Sequence, residues 1–164
     1  MIRVGLVSLV ADGRWMGGRY YLHHLIRCVA SLPERERVAF YDIYWQALPD
    51  ADPFAEVRHL MAGQRVLRFP ESAAGRLRRK AGALVSGRRD ASDLFDKAGI
   101  DVVFPVPLIE RQGAPLVYWL PDLQQRWLPE LYDPAHAAAM NADAERLGRQ
   151  ARRVVASATP ASAS

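Results

Sequence analysis

Two short stretches of the sequence carry residue types that bind phosphates and sugars. In the first, residues 11–18 (ADGRWMGG), Gly17 and Gly18 lack Cβ atoms, so a phosphate can approach the backbone N–H groups at the start of the following helix. The stretch matches neither the Gly-x-Gly-x-x-Gly pattern nor the Walker pattern. It therefore indicates either a phosphate-binding turn or a turn in which the glycines serve backbone geometry alone.

The second stretch, residues 121–134 (PDLQQRWLPELYDP), directly follows an apolar run. The carboxylate of Asp122 can face a ligand hydroxyl there. Hydrogen-bond donors and flat aromatic faces that suit sugar rings surround it, namely Gln124, Gln125, Arg126, Trp119 and Trp127. The alternative is that Asp122 caps a turn and that the tryptophans pack into the core.

Continuous apolar runs predict the strands that position these stretches, because strands buried on both faces of a parallel sheet read in this way. The runs are residues 2–10, 38–45, 65–69, 101–106, 116–120 and 153–157. Helical patterns lie between them, at residues 20–32, 91–98 and 134–151. We therefore predict an α/β fold with a doubly wound, mostly parallel sheet of about six strands and helices on both faces. Such sheets bind ligands beyond the carboxyl ends of their strands.

Composition narrows the class of protein. The chain has 164 residues, of which 50% are hydrophobic and 24% charged, values typical of a globular domain. No apolar run reaches the roughly 18 residues of a spanning helix, and the N-terminus lacks the features of a signal peptide, so we expect a cytoplasmic protein. We expect His23 and His24 to lie on the surface and Cys28 to pack as a small hydrophobic side chain.

The positive charge is concentrated in one segment. Residues 76–89 (RLRRKAGALVSGRR) contain Arg76, Arg78, Arg79, Lys80, Arg88 and Arg89 and no acid. Removing these six from the 22 basic residues leaves 16 against 18 acidic ones, so a nucleic-acid partner is not expected. The segment predicts either a solvated helix face or a basic amphipathic helix on an anionic membrane.

Five stretches follow one another in an order found in a known enzyme family: IRVGLVSLV, GGRYYLHHLIRCVASLP, AGIDVVFP, YWLPDLQQRWLPELYDP and RRVVAS. They resemble the N-terminal half of retaining glycosyltransferases of family 4, the group 1 glycosyltransferases. These enzymes have the two-domain GT-B fold, with an acceptor-side N-terminal domain and a donor-side C-terminal domain. The resemblance implies that residues 1–157 form the Rossmann-like acceptor-side domain and that residues 158–164 are a flexible tail or a truncation scar.

The same resemblance implies an activity and a set of site residues. The parent reaction transfers a hexose from a nucleotide-sugar to a glycan or lipid-linked acceptor with retention, and it implies no cofactor and no metal. Gly17 and Gly18 would bind the donor diphosphate, and Asp122 would be the catalytic residue. The residues expected to contact the acceptor or the sugar are Tyr20, Trp119, Gln124 and Arg126. The six basic residues of segment 76–89 would contact the inner face of the membrane.

The donor-binding domain of the family, with its paired glutamates, has no counterpart in this sequence. The resemblance therefore implies a truncated or split enzyme that is inactive alone and either pairs with a separate donor domain or self-associates. The alternative is a non-catalytic Rossmann-like module that binds a donor domain or a membrane partner. An unrelated nucleotide-binding enzyme of the same fold is a weaker alternative, because the phosphate-binding fingerprint is missing.

Overall fold

Strands and helices alternate along the chain. The computed structural model describes residues 1–7, 16–45, 48–68, 92–107, 113–120 and 122–156. The strands are β1 (Ile2–Val7), β2 (Val38–Trp45), β3 (Gly63–Leu67), β4 (Val102–Phe104), β5 (Val117–Leu120) and β6 (Arg153–Ala156). The α-helices are α1 (Met16–Ser31), α2 (Ser92–Ala98), α3 (Gln124–Trp127) and α4 (Pro134–Gln150). Short 3-10 helices cover Arg35–Arg37, Ala55–Leu60 and Pro129–Leu131.

The strands form a four-stranded parallel sheet in the order β3-β2-β1-β4 and a two-stranded parallel sheet, β5-β6. Hydrogen bonds join the two sheets where β4 passes β5. The N–H of Val103 donates to the carbonyl of Pro115, and the N–H of Trp119 donates to the carbonyl of Pro105, each at 2.9 Å. The predicted α/β fold with parallel strands is therefore confirmed at the level of the four-stranded sheet.

Successive strand residues pack into different apolar clusters, as expected for strands covered on both faces. The first cluster consists of Leu6, Leu22, Ile26, Phe40, Phe54, Val57, Phe104 and Trp119. The second consists of Val7, Ile43, Leu67, Phe95, Ile100, Val103, Leu116 and Tyr118. Helix α1 and the 3-10 helix Ala55–Leu60 contribute to the first cluster. Helix α2 contributes to the second, and Leu147 of α4 packs against it, so helical segments cover both faces.

Residue types at the ends of two helices explain where these helices begin and end. Asp133 is the N-cap of α4, and its carboxylate accepts hydrogen bonds of 3.0 Å from the backbone N–H groups of Ala135 and His136. Pro134 occupies the first helical position. Helix α2 ends at Ala98 and is followed by Gly99, whose φ of 67° lies in the left-handed region that favours glycine.

Two side chains of α1 differ from their predicted environments. His23 is buried instead of lying on the surface, because its side of the helix meets the 3-10 helix Ala55–Leu60 and the loop before it. Cys28 is exposed instead of packed. The helical period turns Cys28 away from the buried stripe that contains Leu22 and Ile26. His24 is exposed, as predicted.

Some predictions fall outside the described residues. These include the tail, residues 158–164, and the basic residues Arg76, Arg78, Arg79, Lys80, Arg88 and Arg89. Among the helices that the structure describes, none combines the length and the apolar character needed to cross a bilayer.

Candidate functional site

The first turn of α1 contains the two glycines predicted to bind phosphate. The helix begins at Met16, earlier than the sequence pattern predicts, so Gly17 and Gly18 lie within it rather than in a loop before it. Gly17 is exposed and Gly18 is buried. The first N–H groups of a helix have no partners inside it, and the helix dipole adds partial positive charge there. This helix start has the features that favour an anion.

An aromatic stack connects the start of α1 to the end of β5. The rings of Tyr21 and Trp119 are nearly parallel, at 13°, and their centroids are 3.9 Å apart. Trp119 is buried and belongs to the first apolar cluster. The stack therefore places the second turn of α1 against the last residues of β5, the strand that Asp122 follows. The role of Trp119 in sugar binding stays a prediction.

The segment after β5 is attached to α4 by polar contacts. Buried Gln125 and exposed Arg126 both donate to the side-chain oxygen of Asn141, at 2.9 Å and 3.0 Å. A nitrogen of Arg126 also lies 3.5 Å from a carboxylate oxygen of Glu145. The predicted acceptor-binding Arg126 therefore already has partners within the chain.

The other predicted site residues near this segment differ in exposure and in their contacts. Asp122 is exposed, which leaves its carboxylate accessible to a ligand. Gln124 is also exposed, and its side-chain oxygen accepts a hydrogen bond of 3.1 Å from the Tyr132 hydroxyl. Tyr20 of α1 is half exposed. The ligand role of each of these residues stays a prediction.

A buried polar cluster on β2 was not predicted. Asp42 is fully buried, and its Oδ2 accepts hydrogen bonds from the Tyr44 hydroxyl and, at 2.9 Å, from Arg58 Nη2. Arg58 also donates to Asp52, with Nε 2.8 Å from Oδ2. Burial raises the pKa of Asp42, whereas the hydrogen bonds from Arg58 lower the pKa of Asp52. One guanidinium therefore joins β2 to the segment that follows it.

His23 lies next to this polar cluster. Its Nε2 is 2.9 Å from the carbonyl oxygen of Pro53, which can only accept, so Nε2 carries the proton. Its Nδ1 has no hydrogen-bond partner and lies 3.7 Å from Glu56. Arg19 and Arg27 are 3.6 Å and 3.7 Å from the same carboxylate. The arginines and His23 recur at every fourth position of α1, and this spacing is the signal that could have indicated a shared acidic partner.

Among the residues that the structure describes, no group of His, Cys, Asp and Glu side chains has an arrangement that could hold a metal ion. Neither protein-family models, nor curated proteins, nor solved structures match this chain.

Proposed function

We propose that this chain is the acceptor-side domain of a retaining glycosyltransferase that resembles family 4. In this proposal the two parallel sheets form one doubly wound, Rossmann-like sheet of six strands. The hydrogen bonds from Val103 and Trp119 between β4 and β5 support this arrangement, as do the helical segments on both faces. The parent reaction transfers a hexose from a nucleotide-sugar to a glycan or lipid-linked acceptor with retention.

The stack of Tyr21 on Trp119 is the observation that carries the proposal. It joins the anion-favouring start of α1 to the end of β5, after which the exposed carboxylate of Asp122 follows. Both features thus belong to the edge of the sheet at which α/β proteins bind ligands. This combination suits a diphosphate against the helix start and a sugar hydroxyl against the carboxylate.

Each group has a defined role in the proposed reaction. The N–H groups at Gly17 and Gly18 stabilise the negative charge that develops on the leaving diphosphate. Asp122 accepts a hydrogen bond from a hydroxyl of the transferred sugar or of the acceptor. In the family, most contacts of the donor belong to a second domain, so we expect these 164 residues by themselves to bind the donor weakly and to transfer no sugar.

The experiment compares Gly17→Glu with Gly17→Gln in calorimetric titrations with nucleoside diphosphates. Gly17 is exposed, and glutamate and glutamine both have a higher helix propensity than glycine, so both variants are expected to fold. The added negative charge should weaken binding of a nucleoside diphosphate by about tenfold or more relative to the glutamine variant. Circular dichroism of both variants verifies that the fold is intact.

Two results would count against the proposal. One is the absence of binding by any of the nucleoside diphosphates, and the other is equal binding by the glutamate and glutamine variants. Hexose transfer by the purified chain, above the level of Gly17→Glu, would contradict only the statement that the chain is inactive alone. The cytoplasmic location and the contact of residues 76–89 with an anionic membrane belong to the proposal, and cosedimentation with anionic and neutral vesicles tests the latter.

A non-catalytic interaction module is the second candidate, and one surface favours it. We call this surface the α3 patch, and it consists of Trp127, Leu128 and Leu131. Their side chains are 79%, 44% and 71% exposed. Adjacent exposed apolar residues commonly mark a protein interface. An interaction module would retain association through this patch while showing no affinity for nucleoside diphosphates.

A further inference from the structure

Strand β6 has one neighbour and two uncovered faces in the part of the chain that the structure describes. It pairs with β5 so that Val154 lies beside Tyr118 and Val155 beside Trp119. Paired residues of neighbouring strands point to the same face, so the two valines belong to opposite faces. Val154 is nevertheless 48% exposed and Val155 38% exposed. Strands of parallel sheets are normally buried on both faces, so β6 lacks the cover of such a strand.

The backbone of β6 also has an unpaired side. The backbone of Trp119 points towards β4, because its N–H donates to the carbonyl of Pro105, so the backbone of Tyr118 points towards β6. In a parallel pair, the residue beside one that points towards the partner strand itself points away. Val154 lies beside Tyr118 and Ala156 beside Leu120, so the backbone groups of Val154 and Ala156 point away from β5. No strand in the described residues pairs with that side.

Two positively charged side chains without an ion-pair partner in the described residues lie next to this edge. Arg152 and Arg153 are exposed, and neither forms an ion pair with a carboxylate in the described residues. The hydrogen bond of the Arg153 side chain goes to the carbonyl of its neighbour Arg152, at 3.4 Å. The nearby acids Asp143 and Glu145 are paired with arginines of α4 itself. A partner with carboxylates would therefore meet two available cations.

We propose that β6 is a docking edge for an extended, acidic segment of another polypeptide. The segment adds as a strand beside β6, and its backbone hydrogen-bonds with the outward groups of Val154 and Ala156. Its apolar side chains cover Val154 and Val155, and its carboxylates face Arg152 and Arg153. A second copy of the chain fits this edge poorly, because two-fold pairing of two β6 strands would bring four cations to one interface. This inference does not depend on the glycosyltransferase proposal.

The test uses a labelled, blocked peptide in which two glutamates precede alternating valine and threonine, with fluorescence anisotropy as the readout. Val154→Pro removes an outward N–H while leaving the bonds to β5, and proline is tolerated in an edge strand at such a position. We expect Val154→Pro to weaken peptide binding by about fivefold or more. Val154→Ala, the matched control, keeps the N–H and should lose less affinity. Melting curves verify that both variants fold.

Charge-reversal variants and amide hydrogen exchange provide two independent tests. Arg152→Glu combined with Arg153→Glu should abolish binding of the glutamate peptide and allow binding of its lysine counterpart. Amide hydrogen exchange at Val154 in the unaltered protein should slow when the peptide is added. Equal binding by Val154→Pro and Val154→Ala, no binding of either peptide, or unchanged exchange would each overturn the proposal. Peptide-independent dimerisation that Val154→Pro abolishes would also overturn it, since a second copy would then be the partner.

Discussion

Asp101 shows how one side chain can combine several contacts at the start of β1. Its Oδ1 accepts from Arg3 Nη2 at 2.8 Å, and its Oδ2 accepts from Arg3 Nε at 3.0 Å and from the Arg3 backbone N–H at 2.8 Å. These hydrogen bonds stabilise the ionised carboxylate and lower the pKa of Asp101 to about 2. The folded protein therefore binds this proton less tightly than the unfolded chain does.

The first prediction concerns stability at low pH. The unfolded chain protonates Asp101 near its ordinary pKa of about 3.9, above the folded value. The ionised carboxylate therefore stabilises the fold above that pH, and the contribution is lost as the pH falls towards about 2. The difference in unfolding free energy between the unaltered protein and Asp101→Asn should be constant above about pH 5 and shrink towards pH 2. Urea denaturation of both proteins across this pH range measures the difference in unfolding free energy.

Arg3→Gln is the control for this assignment. The variant keeps the backbone N–H that donates to Asp101 but removes the guanidinium, which provides the largest contribution to the lowered pKa. The pKa of Asp101, followed by NMR of its carboxyl carbon, should rise towards the ordinary value. An unchanged pKa in Arg3→Gln would contradict the assignment.

Residue types in the sequence indicated which side chains could contact a ligand, but not their environments. Trp119 was predicted as a sugar-binding surface or as a core residue, and the structure buries it against Tyr21. Arg126 was predicted as a free donor, and it contacts Asn141 and Glu145 of α4. Both contacts join residues from separate elements, so their positions depend on tertiary packing that local patterns do not encode.

At the scale of elements, Arg58 connects β2 to the segment that covers α1. Its guanidinium donates to Asp42 on β2 and to Asp52 in the following loop. The guanidinium carbon of Arg58 also lies 5.8 Å from the centre of the Phe54 ring. Phe54 is buried in the first apolar cluster. The polar cluster therefore holds the loop in the position from which Phe54 fills this core.

The second prediction is that Arg58→Met destabilises the protein by about 3 kcal/mol, because Asp42 would remain buried without its cation. Urea denaturation at neutral pH measures the loss. The double variant Asp42→Asn/Arg58→Met should recover part of it, since the amide carries no charge. Equal losses in the single and double variants would show that Arg58 acts through packing alone.

Elements whose sequence pattern agrees with their packing were predicted closely. The bounds of β2 match the predicted residues 38–45, because an apolar run and a strand buried on both faces coincide there. Helix α1 begins earlier than predicted, because Gly17 and Gly18 have low helix propensity and no apolar periodicity. The polar cluster was missed, because Asp42, Asp52 and Arg58 are spread over three segments with no common spacing.

At the scale of the whole molecule, the strands and helices differ in how far their residues are buried. The middle strands β1 and β2 contribute to both buried clusters, whereas every residue of β6 is exposed. Helix α4 has no fully buried residue along Pro134–Gln150. The α3 patch lies immediately before this helix along the chain. Within the described part of the chain, β6, α4 and the α3 patch therefore offer exposed surface that a partner could cover.

The third prediction is that the chain associates weakly with itself through the α3 patch. Apolar surface exposed on both copies becomes buried on association, but three side chains provide less area than a stable dimer requires. Sedimentation velocity should therefore show an apparent mass that rises with concentration. Trp127→Ser combined with Leu131→Ser should remove this rise, because these two side chains contribute most of the exposed apolar area of the patch.

Leu32→Ser and Leu48→Ser are matched controls for the same measurement. Both leucines are about half exposed, like Leu128, but they lie outside the α3 patch. If any exposed apolar side chain promoted association, each control would reduce it in proportion to the apolar area removed. If the α3 patch alone is responsible, the controls should associate like the unaltered protein. A constant monomer mass in the unaltered protein at all concentrations would rule out self-association, and the patch would then be available only to a different partner.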